Sequence, residues 1–148
     1  MPLQEHNEEH DVVKTWLCEF VSDDGLRLLD LSPGRRADFD IVFAAVSSVG
    51  RALGTASEAL RADRVIVVRA IQGDGNALQF ASSSLQDDAD IVLEASRLTG
   101  GRALAYASYR LQSDRAFLME AMAEYSMPDA WLHMALHLQA DPEVFSTG

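Results

Sequence analysis

Four glycines, Gly25, Gly50, Gly75 and Gly100, stand 25 residues apart without a gap. A fixed period of this length restricts the chain to a stack of similar units, each too small to bury its own apolar face. Segments starting at Asp38, Asp63, Asp88 and Asp114 align on one template. The template runs Asp, apolar residues at its fourth and fifth positions, Ala, Gly, then Ala-Leu-x-x-Ala-Ser-x-x-Leu. The copy from Asp88 gains one residue at Gly101, and the copy from Asp114 gains two near Pro128 and has Ser126 for its glycine. A more divergent copy begins at Val13 and is anchored on Gly25. Its apolar slots hold Trp16, Leu17, Phe20 and Val21, then Leu28 and Leu31, with Ser32 in the serine slot. From Asp141 the template restarts and breaks off.

Each template position has a physical reason. An initial Asp accepts hydrogen bonds from the free amides of a first helical turn. Ile41-Val42 and Ala45-Val46 make one face of a helix of about ten residues. The glycines fall where that helix must stop, so they are expected as left-handed C-terminal caps. A second helix should follow, with Ala52, Leu53, Ala56 and Leu60 on one face. The expected fold is an all-α solenoid of unassigned hand, built of short helical hairpins in five repeats and a partial sixth. The organisation is an acidic leader at 1–12, the solenoid at 13–140, and a partial repeat or tail at 141–148.

The pattern D-x-x-I-V-x-x-A-[VI]-x-x-x-G-x-A-L-x-x-A-S-x-x-L resembles the helical repeats catalogued as domain of unknown function 4116. Asp38 to Leu60 and Asp63 to Leu85 match nearly every slot, and Asp88 to Leu111 matches with one insertion. Asp114 to Leu138 matches more loosely, and Val13 to Ala37 by register. The resemblance implies an all-helical repeat fold and an interaction role by analogy with other solenoids. It implies no catalytic residues. Members occur in bacteria, including effector-producing ones, and in protists.

The remaining chemistry of the chain points away from catalysis. One cysteine, Cys18, excludes a disulfide framework and a thiolate zinc site, and its acidic neighbour Glu19 should raise its pKa. His133 and His137 are four residues apart, with Glu124, Asp129 or Asp141 as candidate oxygen ligands, but they lack the HExxH glutamate and a third histidine. His6 and His10 repeat that spacing among Glu5, Glu8 and Glu9, where a solvated helix end is the better reading. Ser32, Ser57, Ser82 and Ser108 recur at one slot without a histidine–acid pair, which suits structural serines rather than nucleophiles. Gly73-Asp74-Gly75-Asn76 lacks the Lys-Ser/Thr of a phosphate loop. No enzyme activity, cofactor or metal is therefore expected.

The slots that vary between copies are the candidate binding surface. The slot before Ala-Ser holds Thr55, Phe80, Tyr106 and His133. Four residues on come Ala59, Ser84, Arg110 and His137. These are expected as i, i+4 pairs on one side of each second helix, aligned into a ladder with Tyr109 close by. Phe80, Tyr106, Tyr109, Arg110, His133 and His137 are the candidate contacts, with gap-filling between hairpins as the competing role. The last helix, with Trp131, Leu132, Met134, Leu136 and Leu138, has almost no polar face. Its outside is expected to be covered by the tail from Asp141 or by a second copy in a homodimer through Trp131, Leu132 and Leu136.

Charge and hydropathy narrow the partners. The net charge is −11, from 23 acids against 12 basic residues in 148. Residues 1–24 hold seven acids and one lysine, residues 116–148 hold five acids and no Lys or Arg, and residues 25–115 hold eleven of each sign. Nucleic acid is not expected as a partner, because phosphate backbones need a basic face. No apolar run reaches a membrane span and no signal peptide is evident, so a cytoplasmic location is expected, with non-Sec secretion left open. A non-catalytic scaffold for an unknown protein partner is the leading function. The alternatives are an acidic regulator, of immunity type or mimicking a nucleic acid, that binds a basic partner, and a secreted bacterial effector module. The neutral repeat body weakens the mimic, which needs acids spread along its binding face.

Overall fold

In a computed structural model the described residues are 5–125, with side chains described for residues 10–123. Every regular element among the described residues is a helix, with no strand among them. Trp131, Leu132, Leu136, His133, His137 and the segment from Asp141 lie outside them.

Asp38, Asp63, Asp88 and Asp114 each cap a helix, as the template requires. Asp38 Oδ1 accepts from Asp40 N–H at 3.0 Å and Ile41 N–H at 3.4 Å. Asp63 does the same for Val65 and Ile66, Asp88 for Ile91, and Asp114 for Ala116 and Phe117. Behind these caps run α2 (Phe39–Ser48), α4 (Arg64–Gly73), α6 (Ala89–Thr99) and α8 (Arg115–Tyr125). Before them comes α1 (Glu5–Asp23), which carries residues 5–12 of the acidic leader and the start of the first copy in one helix. Each of these helices packs on its successor in the chain order α1, α2, α4, α6. The slots Ile41, Val42, Ala45 and Val46 are wholly buried, as are Ile66, Val67 and Ala70.

The second half of each copy departs from the expected single helix. It is a 3₁₀ segment followed by a short α-helix: Gly50–Thr55 then α3 (Glu58–Arg61), Gly75–Phe80 then α5 (Ser83–Gln86), and Arg102–Tyr106 then α7 (Tyr109–Ser113). Ala56, Ala81 and Ala107 break the pair in extended conformation, with ψ near 160° in all three. The break turns the next residue toward the preceding copy. Ser57 N–H donates to Arg36 O at 2.9 Å, Ser82 N–H to Arg61 O at 2.9 Å, and Ser108 N–H to Gln86 O at 2.8 Å. A continuous helix would keep those amides for itself. The recurrent serine also caps the short helix in two copies, with Ser57 Oγ accepting from Leu60 N–H and Ser108 Oγ from Leu111 N–H.

The glycines also play a different part from the expected left-handed cap. Gly25, Gly50 and Gly75 are buried, and positive φ among the described glycines is confined to Gly100 and Gly101. Each opens a 3₁₀ segment pressed against the next copy's long helix. A Cβ on Gly50 would stand 2.4 Å from the carbonyl oxygen of Ala70, and one on Gly25 would stand 2.2 Å from that of Ala45. Gly75 meets Thr99 Cγ2 at 2.6 Å and Ala95 O at 2.8 Å. The period therefore records a contact 20 residues forward. Gly100, at φ 64°, is the one expected cap that is left-handed and ends α6; it has open space around its Cβ position. Counting 20 residues back from Ala121 gives the buried Gly101, so the inserted residue keeps a glycine at that spacing.

Candidate functional site

Stacking sets one slot of each long helix on the outer face, five residues after the capping Asp. It holds Phe43, Val68 and Leu93, half-buried, then Met119, 50% exposed; Cys18, half-buried, takes the corresponding place on α1. The slot is apolar in every described copy, and between α2 and α4 it opens into a groove of about 370 Å³. Phe43, Val65 and Val68 line the groove, with Arg64, Arg69 and Gln72 at its edges. The Phe39 and Phe43 rings stack with centroids 6.0 Å apart. Arg64 pairs with Asp88 of the next copy, and Arg69 Nε donates to Ser47 Oγ at 2.9 Å. Arg69 thus links the two helices that bound the groove, and Arg64 reaches to the following copy. The sequence carried this slot at spacings of 25 and 26 residues, outside the stripe read as core.

The candidate binding residues divide by burial. Phe80 and Tyr106 are half-buried against the core, and the Phe80 ring stands over Gly54, whose Cβ position is 2.9 Å from it. Thr55, in the same slot, turns its hydroxyl back to Ala52 O at 2.8 Å. These residues end 3₁₀ segments, whereas Ala59, Ser84 and Arg110 lie on the short α-helices, so the expected i, i+4 pairs are split between two elements. Tyr109 is 73% exposed. Arg110 donates from Nε to Asp87 Oδ1 at 2.9 Å and from Nη2 to Asp87 O at 3.1 Å. Ser108 Oγ donates to the same carboxylate. The serine hydroxyl first, and Arg110 second, hold Asp87 below the ordinary carboxylate range.

The other sequence candidates are separate from these. Cys18 is half-buried, and its thiol is pushed up by burial and then by Asp40 and Asp38, against the pull of Lys14. Lys14 bridges to Asp38 at 3.3 Å and Asp40 at 2.5 Å, which raises its own pKa. Arg51 Nε donates to Asp74 at 3.0 Å, another link from one copy to the next. Burial works against ionised Asp74, but the Asn76 backbone amide and Arg51 outweigh it and lower its pKa. His10 is exposed. Among the described residues no three His, Cys, Asp or Glu side chains converge as a metal site. No helix among them is long and apolar enough to cross a membrane.

The fold and this surface define an all-helical protein whose units repeat the same caps, glycine contacts and outer slot. Residues 38–86 and 63–100 match the model of the family described as Domain of unknown function (DUF4116). No curated protein and no solved structure matches the chain.

Proposed function

We propose that the chain is a helical solenoid of five repeats and a partial sixth, acting as a non-catalytic scaffold that binds a protein partner along its outer helical face. The observation that carries this reading is the apolar outer slot, open to solvent and deepened into a groove at Phe43, Val65 and Val68. Interior slots recur because each copy must fit its neighbour. The outer slot is only partly covered, yet it stays apolar through Phe43, Val68, Leu93 and Met119. A contiguous apolar stripe with charged margins is the usual composition of a docking surface. Arg64 and Arg69, already oriented by Asp88 and Ser47, supply polar edges that limit the register of a bound segment. Tyr109 offers a second exposed aromatic anchor on the turn side.

The test is retrieval and quantitation of a partner from source cells by the immobilised chain, followed by binding measurements on the purified pair. Phe43→Glu with Val68→Glu should weaken that binding at least tenfold while the circular dichroism melt stays cooperative. Binding equal to the parent's in the folded double variant contradicts the outer face as the contact.

A further inference from the structure

Of the four recurrent serines, Ser82 and Ser108 bond another side chain through their hydroxyls, whereas the hydroxyl protons of Ser32 and Ser57 meet no acceptor among the described residues, and Ser57 lines a cavity. Ser108 Oγ donates to the carboxylate of Asp87, the residue that follows the carbonyl acceptor of the Ser108 amide, and Arg110 closes on the same carboxylate at 2.9 Å. Ser82 Oγ shares a hydrogen bond of 2.9 Å with Ser84 Oγ. Ser57 Oγ accepts from Leu60 N–H at 3.4 Å, and among the described residues its own proton meets no acceptor. The acceptor of its amide is Arg36 O, so the place that corresponds to Asp87 belongs to Ala37, which has no carboxylate to offer.

The space beside Ser57 is a cavity of about 220 Å³ lined by Pro33, Arg36, Thr55, Ala56 and Ser57. Arg36 makes no ion pair among the described residues, and its Nε is covered without a hydrogen-bond partner. Arg61, in the same slot one copy on, has the same orphaned Nε, but there the residue in the place of Thr55 is Phe80. Asp38, two residues beyond Arg36 in the chain, is already engaged by Asp40 N–H, Ile41 N–H and Lys14, and Glu58, next to Ser57, is exposed and makes no ion pair among the described residues.

We infer that the Ser57–Arg36 cavity is a receptor for a carboxylate, which takes there the position that Asp87 takes beside Ser108 and Arg110. Ser57 donates its hydroxyl proton to one oxygen, and the Arg36 guanidinium supplies charge and planar donors to the group. Thr55, whose proton is committed to Ala52 O, and Pro33 make the walls. The internal counterpart is a planar carboxylate held by one hydroxyl and one guanidinium, which favours that group over a tetrahedral phosphate. The carboxylate can come from an acidic side chain of a protein or from a free organic acid. The cavity shares no residue with the outer groove, so the two proposals stand or fall separately.

The experiment is a titration of the full chain, labelled with nitrogen-15, with sodium acetate at pH 7 and constant ionic strength. Saturable shifts of the Arg36, Ala56 and Ser57 amides are expected, and Ser57→Ala should weaken them at least fivefold. Ala37→Asp installs the chain's own carboxylate in the place of Asp87 and should abolish acetate binding without loss of helicity. If that variant does not fold, Ser57→Ala alone decides. Phe43→Glu with Val68→Glu should leave the acetate response intact. A blocked peptide carrying one glutamate that binds at least tenfold more tightly than acetate assigns the source to a protein; equal affinities assign it to a free acid. Linear, non-saturating shifts, shifts unchanged in Ser57→Ala, or inorganic phosphate binding as tightly as acetate would overturn the assignment.

Discussion

The first copy and the third place the same template slots in opposite environments. Ile66 and Ala70 are wholly buried between α2 and α4, whereas Trp16, in the slot of Ile66, is 59% exposed, and Phe20, in the slot of Ala70, is half-buried. The difference is the neighbour. Ile66 faces a preceding long helix, whereas α1 is the first in the row. The exposed pair is tied down locally instead, with the Trp16 and Phe20 rings stacked at 5.4 Å and Arg27 over Phe20 at 4.9 Å. These apolar slots thus serve the contact between copies, and they are exposed on α1, which no long helix precedes among the described residues.

That contrast predicts unequal costs for matched substitutions. Ile66→Ala should destabilise by about 2–5 kcal/mol, because it opens a cavity in a filled interface. Trp16→Ala should cost about 1 kcal/mol or less, the worth of a stacked pair at the surface. Urea denaturation of both variants checks this, and equal costs would show that the first copy is as enclosed as the third. The glycines give the next largest contrast. Gly50→Ala drives a Cβ into the Ala70 carbonyl, a backbone atom that cannot swing aside, and should cost about 1–3 kcal/mol or more. Gly34 has nothing within 4 Å of its Cβ position and a helical φ of −63°, so Gly34→Ala should be neutral or stabilising by up to about 1 kcal/mol. Thermal melts of the two variants make the comparison.

The smallest effect expected lies in the charge links between copies. Asp74 has its pKa lowered in the folded state, so its contribution is present above the ordinary carboxylate pKa of about 4 and is lost as pH falls through the folded value. Its carboxylate is only partly covered, and screening leaves well under about 1 kcal/mol. Stability measured from pH 7 down to pH 3 should show Asp74→Asn trailing the parent at neutral pH and converging with it in acid. A gap that persists at pH 3 would mean that the ion pair with Arg51 is not its source.

How far the fold was legible follows from which contacts are local. Asp38, Asp63, Asp88 and Asp114 cap helices through amides two or three residues away, so their role could be read from spacing alone. The glycines could be placed but their purpose could not, since the Gly50 contact lies 20 residues forward and depends on how copies stack. The break at Ala56 has the same origin: the Ser57 amide leaves the local ladder for Arg36 of the preceding copy. Of the candidate site, Tyr109 emerges exposed while Phe80 and Tyr106 lean on the core, because a slot next to a 3₁₀ segment can face either way. The outer slot of Phe43, Val68 and Leu93 was visible in the period. The Ser57–Arg36 cavity was not, because it joins residues of two copies and depends on Thr55 standing where later copies have Phe80 and Tyr106.

The central claim is that 25 residues make one stacking unit, and removing one unit tests it most directly. Excising residues 63–87 joins Ala62 to Asp88, keeps the helix cap, and brings Gly50 into register with Ala95. The shortened chain should remain helical and melt cooperatively at a lower temperature, while excision of residues 63–82 breaks the register and should abolish the cooperative melt. If far-ultraviolet circular dichroism shows the 25-residue deletion unfolded, or the 20-residue deletion folded equally well, the repeat is not the unit of this fold.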